Sequence, residues 1–149
     1  MSLWTNGSVD AGTELRRVRK TVTFNGTANR GAVGVVPLFT VTGDVIIALL
    51  VAFCTDDLTE ATPTATLALG VTNNTTFFIG ATTATGIDAG MFWIDTGPDA
   101  NGVALPAGLN DILITQNIIG TVGGQAINGG ILRVDCYWLP LSADGNVAS

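Results

Sequence analysis

Ten consecutive apolar residues, Val45 to Cys54, bounded by Asp44 on one side and by Thr55-Asp56-Asp57 on the other, limit what this chain can become. A helical membrane span needs about 20 apolar residues to cross about 30 Å of hydrocarbon, so the run is too short to be one. It is also too apolar for a surface segment, and it reads as a strand buried on both faces. The whole chain shares this character. Charged residues make up 12% of its 149 positions, against about 25% in an ordinary globular domain, and mean hydropathy is +0.47. So much apolar surface has to be hidden in a core and in contacts between subunits, which favours an oligomer over a free monomer and gives no role to a membrane.

From Lys20 onward, short runs of β-branched and aromatic residues alternate with clusters of Gly, Asn, Asp and Thr. That rhythm is the mark of a sandwich or barrel. Thr21 to Asn25 points Val22 and Phe24 inward. Val35 to Val41 and Asp44 to Phe53 are joined by Thr42-Gly43, a connection short enough for a tight hairpin. Pro37 lies inside the first of these runs and places it at an edge or a bulge. Ala65 to Val71 and Thr75 to Gly80 flank a Thr72-Asn73-Asn74 turn in which Asn can take positive φ. Met91 to Asp95 is a short aromatic strand, followed by a long loop from Thr96 to Gly108. Ile112 to Val122 and Ile131 to Leu139 complete the set. In the last run Leu132, Val134, Cys136 and Trp138 share one face while Arg133, Asp135 and Tyr137 share the other, the period of two that a half-buried strand requires. No stretch has helical period beyond about two turns. The expected fold is all-β, a two-sheet sandwich of jelly-roll type, over residues 21–149.

Residues 1–20 show no period and read as an extended N-terminal arm. Five of the six cationic residues, Arg16, Arg17, Arg19, Lys20 and Arg30, fall in the first 30 positions of a chain whose net charge is −6. An asymmetry of that kind suggests a segment with its own partner. The candidate partner-binding residues are therefore Leu3 and Trp4, as an apolar anchor, with Arg16, Arg17, Arg19 and Lys20. Four charges without interleaved aromatics make a poor phosphate footprint, so a protein partner is favoured over nucleic acid. Met1 to Gly7 has neither a basic nor an apolar signal region, which points to assembly in a cytoplasm. In such a compartment Cys54 and Cys136, both within apolar runs, are expected as buried free thiols, with their pairing left open.

Catalytic chemistry has little to work with. There is no histidine and only one lysine, which removes the commonest general base and metal ligand, the Ser-His-Asp and Cys-His arrangements, and the phosphate-binding lysine loop. Asp56, Asp57, Glu60, Asp95 and Asp99 could form a carboxylate pair, but each sits among turn residues, where Asp serves the backbone. Asp99-Ala100-Asn101-Gly102 matches part of a calcium loop, yet Gly97 and Gly108 occupy the positions of its decisive ligands. Gly120 to Gly124 precedes no helix and is not a nucleotide loop. The residues name no catalytic group, cofactor or metal site.

Four stretches carry a resemblance: Thr21 to Gly34, Leu38 to Val45, Thr83 to Gly90, and Cys136 to Val147, the last reading Cys-Tyr-Trp-Leu-Pro-Leu-Ser-Ala-Asp-Gly-Asn-Val. They resemble a family of small virion structural proteins of tailed bacteriophages and prophages, encoded among head genes. The resemblance implies a head decoration, or cement, protein: a homotrimeric β-domain on the capsid surface, bound to the major capsid protein where subunits meet, and resisting internal DNA pressure. A tail, neck or baseplate subunit would share this architecture. A glycan-binding sandwich is the alternative of another class, with Trp93 and Phe92 beside Asp95 as its platform.

Overall fold

The alternation in Leu132, Val134, Cys136 and Trp138 organises the centre of the molecule, where all four side chains are buried. The computed structural model describes residues 14–149, and its strands follow in the order β1 Arg16–Thr23, β2 Gly34–Thr42, β3 Val45–Glu60, β4 Thr66–Val71, β5 Asn74–Thr83, β6 Met91–Trp93, β7 Asp99–Ala100, β8 Asn110–Ile114, β9 Ile118–Gly123, β10 Ile127–Pro140 and β11 Asn146–Ala148. Two short 3₁₀ turns, Ala84–Gly86 and Ala107–Leu109, are the only helical pieces among the described residues. One sheet runs β1-β10-β3-β6-β7, with β8 also paired to β3; the other runs β11-β2-β9-β4-β5. All pairings between these strands are antiparallel. The fold is thus an all-β, two-sheet sandwich.

The pairings are nested. β1 pairs β10, β2 pairs β9, β3 pairs β8 and β4 pairs β5, so the chain is one long antiparallel ribbon, bent back at β4–β5 and rolled until its two halves face each other. Eight strands rolled in this manner have the pattern of a jelly roll. β6 and β7 are an insertion that extends β3 beyond the reach of β8, and β11 is an addition beside β2.

Rolling corrects two expectations with one cause. Thr42-Gly43 is not a hairpin, because β2 and β3 lie in different sheets and the turn carries the chain between them. Gly43 has φ +63°, and a Cβ there would come within 2.5 Å of Ser142 Oγ and Asp144 Oδ1. Ser142 also accepts the Asp44 N–H through its hydroxyl at 2.8 Å, so the turn is fastened to the end of β10. Likewise, the run Ile112 to Val122 is two strands, β8 in one sheet and β9 in the other, split at Thr115-Gln116-Asn117. The hairpin at Thr72-Asn73 does form, with Val71 opposite Asn74. It is held from outside, without positive φ at either Asn: Asn73 N–H donates to Gln116 Oε1 and Thr72 N–H to the Asn117 carbonyl. Pro37 stands where expected, at a register shift in β2 and beyond the three residues that β11 covers.

The first strand begins earlier than the residues suggest. Arg16 to Lys20 belong to β1, in register with Trp138 to Val134. Arg16, Val18, Lys20 and Val22 alternate on the inward side, and at a sheet edge the aliphatic stems of Arg and Lys can cover apolar neighbours while their charges reach water. Leu3 and Trp4 lie outside the described residues. β3 departs from expectation in degree: Val45, Ile47, Leu50, Ala52 and Cys54 are fully buried, whereas Ile46, Leu49, Val51 and Phe53 on the other face are only half-buried.

Trp93 fills the core and donates its indole N–H to Thr82 Oγ1 at 2.9 Å. Burial of an indole with its one donor satisfied is the favourable arrangement. Replacing Thr82 with Val keeps the shape and orphans that donor, and is expected to cost about 1–3 kcal/mol in chemical denaturation. Leu50→Ala, at a site with no exposure, is expected to cost about 2–5 kcal/mol.

Candidate interaction edges of the sandwich

Where the two sheets end side by side, the sandwich has two long edges of opposite character. At the first, β1 lies over β2. Lys20 and Arg30 line a cleft of about 350 Å³ with Pro37 and Asn29, and an adjoining cleft carries Lys20, Val35 and Ser149. Arg17 is exposed, and Arg16 holds its guanidinium carbon 5.1 Å from the centre of the Trp138 ring. Val35 on β2 and Val33 just before it are exposed. Of the residues singled out for a partner, Arg16, Arg17, Arg19 and Lys20 are thus brought together, as the rim of a sheet and not as a free tail.

Next to this edge, Asp135 of β10 is nearly buried and draws in two cations. Arg19 Nε donates to Asp135 Oδ1 at 2.7 Å and Arg19 Nη2 to Oδ2 at 3.3 Å. Arg133 Nε lies 3.2 Å from Oδ2 as an ion-pair contact whose angle does not make a hydrogen bond. The hydrogen bond to Asp135 outweighs desolvation and raises the Arg19 pKa above its ordinary value. Arg133 also stacks over Phe53, its guanidinium carbon 5.1 Å from the ring centre. This cluster locks β1 to β10. Asp135→Ala is expected to lower the denaturation midpoint and loosen β1 selectively, seen as faster amide exchange from Val18 to Val22 while β3 stays protected.

The opposite edge is formed by β5 and β8. Phe77, 42% exposed, and Leu113, 59% exposed, flank an apolar cleft of about 180 Å³ floored by Val71 and Ile114. Val103 and Leu105 border a second apolar recess with Val51 and Phe92. The charges here are all acidic: Asp99 on β7, Asp111 on β8 and Asp95 between β6 and β7, with no Lys or Arg anywhere from residue 31 to 132. Reading by composition missed these apolar residues, although a signal was present. Phe77-Phe78 and Ile112-Leu113-Ile114 are unbroken apolar runs in strands, and successive side chains on a strand cannot all face one core.

Several carboxylates raised as acid pairs serve backbone turns. Asp57 Oδ1 accepts the Ala89 N–H at 2.7 Å, Asp95 Oδ1 accepts the Gly97 N–H at 2.7 Å, and Glu60 Oε2 accepts from Thr64 and Ala65. Trp93 is buried, so it offers no stacking platform to a sugar, and the glycan-binding arrangement is overturned. Cys54 sits opposite Leu132 and Cys136 opposite Leu50. Four residues of strand separate them, about 13 Å at about 3.3 Å per residue, beyond the roughly 7 Å that a disulfide tolerates.

No protein-family model matches the chain, and no curated protein matches it. Among solved structures, a chain of the cyanophage Pam1 capsid asymmetric unit superposes with a TM-score of 0.58, over 91% of this chain and 92% of its own, at 22% identity. At that identity the likeness is one of fold.

Burial pushes the thiols up, Cys136 to about 12 and Cys54 to about 11, where Asp57, Asp88 and Asp56 add to the desolvation. Both are expected to resist maleimide at pH 8 in the native state and to react on unfolding. Since the folded values are raised, stability is unaffected by the thiols below about pH 8, where unfolded cysteine begins to ionise, and falls as pH climbs toward the folded values. A denaturation series from pH 8 to 11 measures that decline, and Cys54→Ala should flatten part of it.

Proposed function

We propose that this chain is a structural protein of a phage virion, a decoration or cement protein that assembles as a homotrimer on the outside of the head and binds the major capsid protein where shell subunits meet. The observation that carries the reading is the likeness of fold, over 91% of this chain, to a chain within a capsid asymmetric unit. On this reading the function of the sandwich lies in its surfaces. The surfaces here support that: exposed apolar side chains along two edges, carboxylates engaged in holding turns, and a chain with no histidine.

On this reading the work is mechanical and needs no enzyme chemistry or cofactor. A protein that binds the closed shell and not its separated subunits adds binding free energy to the intact state by mass action, about 2.7 kcal/mol per site at a free concentration one hundred times Kd. In this proposal Leu3 and Trp4, with the cations of β1, supply the capsid anchor.

Co-sedimentation with shells assembled without this protein tests the proposal. The full chain is expected to pellet with empty shells and to raise the temperature at which they rupture. Deletion of residues 1–13 is expected to weaken pelleting at least tenfold while leaving the domain folded. A full chain that stays in the supernatant with heads but pellets with tails would overturn the head assignment.

A further inference from the structure

The first sheet is electrically graded from side to side. Arg16, Arg17 and Lys20 stand on β1, with Arg19 and Arg133 sharing the carboxylate of Asp135, whereas Asp99 on β7 and Asp111 on β8 stand across β3 from them. The two edges also match in their apolar parts, each with a pair of exposed side chains: Val33 and Val35 at the basic edge, Phe77 and Leu113 at the acidic one.

We propose that copies of this chain associate head to tail, the basic β1–β2 edge of one copy seating on the acidic, apolar β5–β8 edge of the next. This deepens the reading of the protein as an assembling virion component and names the surfaces through which it assembles. A second copy is the occupant that the charges select. An edge placed on its own twin would face cations with cations, or Asp99 and Asp111 with themselves, and like charges set together oppose association. Placed on the opposite edge, each finds its complement in sign and a partner for its apolar pair. A contact between unlike surfaces is heterologous, and it closes into a ring when successive copies rotate back to the first. A ring leaves no copy with an unmatched edge. It also covers the free sides of β1, β5 and β8, whose unpaired backbone groups would otherwise invite uncontrolled pairing.

Light scattering on the full chain and two surface variants tests this. The wild-type protein is expected to have a mass several times the 15.3 kDa of one chain. Arg17→Glu and Leu113→Lys, each changing one exposed side chain on a different edge, are expected to return the mass to a single chain with the thermal melt intact, and high salt should partly mimic Arg17→Glu. Because the native thiols are buried, introduced cysteines can report the geometry. A chain with both Arg17→Cys and Leu113→Cys, treated with a flexible bismaleimide, is expected to yield covalent oligomers up to the ring size, and each single cysteine variant only monomers. A monomeric wild type, an oligomer indifferent to both variants, or dimers linked through Arg17→Cys alone would overturn the head-to-tail arrangement. Capsid co-sedimentation is scored apart from these outcomes. An oligomer of the expected geometry that ignores shells sinks the decoration role and leaves the head-to-tail contact standing, while shell binding by a copy that is always monomeric does the reverse.

Discussion

The antiparallel ladder between β3 and β10 is the constraint on which the rest of the molecule hangs. It runs from Val45 opposite Pro140 to Glu60 opposite Ile127. Its inner side is made almost wholly of fully buried residues: Val45, Ile47, Leu50, Ala52 and Cys54 on one strand, Leu132, Val134, Cys136 and Trp138 on the other. Burial of apolar area at about 25 cal/mol per Å² makes such a face the largest favourable contribution in a domain of this kind. β1 attaches to one flank of this pair, and β8 and β6 to the other. Each edge thereby inherits its position from the ladder, the basic rim through β10 and the acidic rim through β3.

The ladder also explains what could and could not be read from the residues. Period two in β10 was plain because one face is buried and the other meets Arg19, Arg133 and solvent. The class of fold followed from repeated runs of that kind. Connectivity between sheets was not legible. A two-residue link such as Thr42-Gly43 looks the same whether the next strand lies beside the last or across the sandwich, and the choice depends on partners far along the chain, β9 for β2 and β10 for β3. The split at Thr115-Gln116-Asn117 was hidden for the same reason, with apolar residues on both sides and no Gly or Pro to mark it.

The interaction edges were half legible. Clustered cations announced Arg16 to Lys20 as a feature, but charge alone reads as a solvated tail, and only the alternation of Val18 and Val22 betrays a strand. The acidic edge was harder, since Phe77 and Leu113 resemble core residues until the sheet order shows that nothing lies beyond them. In the head-to-tail contact proposed above, charge complementarity would set register and suppress wrong encounters more than it adds affinity, while Val33, Val35, Phe77 and Leu113 would supply the apolar area.

Nested pairing has a further consequence, for synthesis. β3, the most apolar strand, has as its long partner a strand made some 70 residues later, and β1 cannot dock until that same strand is in place. A fold whose contacts are this distant in sequence pays loop-closure entropy before any long-range pairing rewards it, and folds slowly. While the chain leaves the ribosome, the flank of β3 that β10 covers therefore stays open until that strand is made, and the flanking acids Asp44, Asp56 and Asp57 are of the kind that keep nascent copies apart.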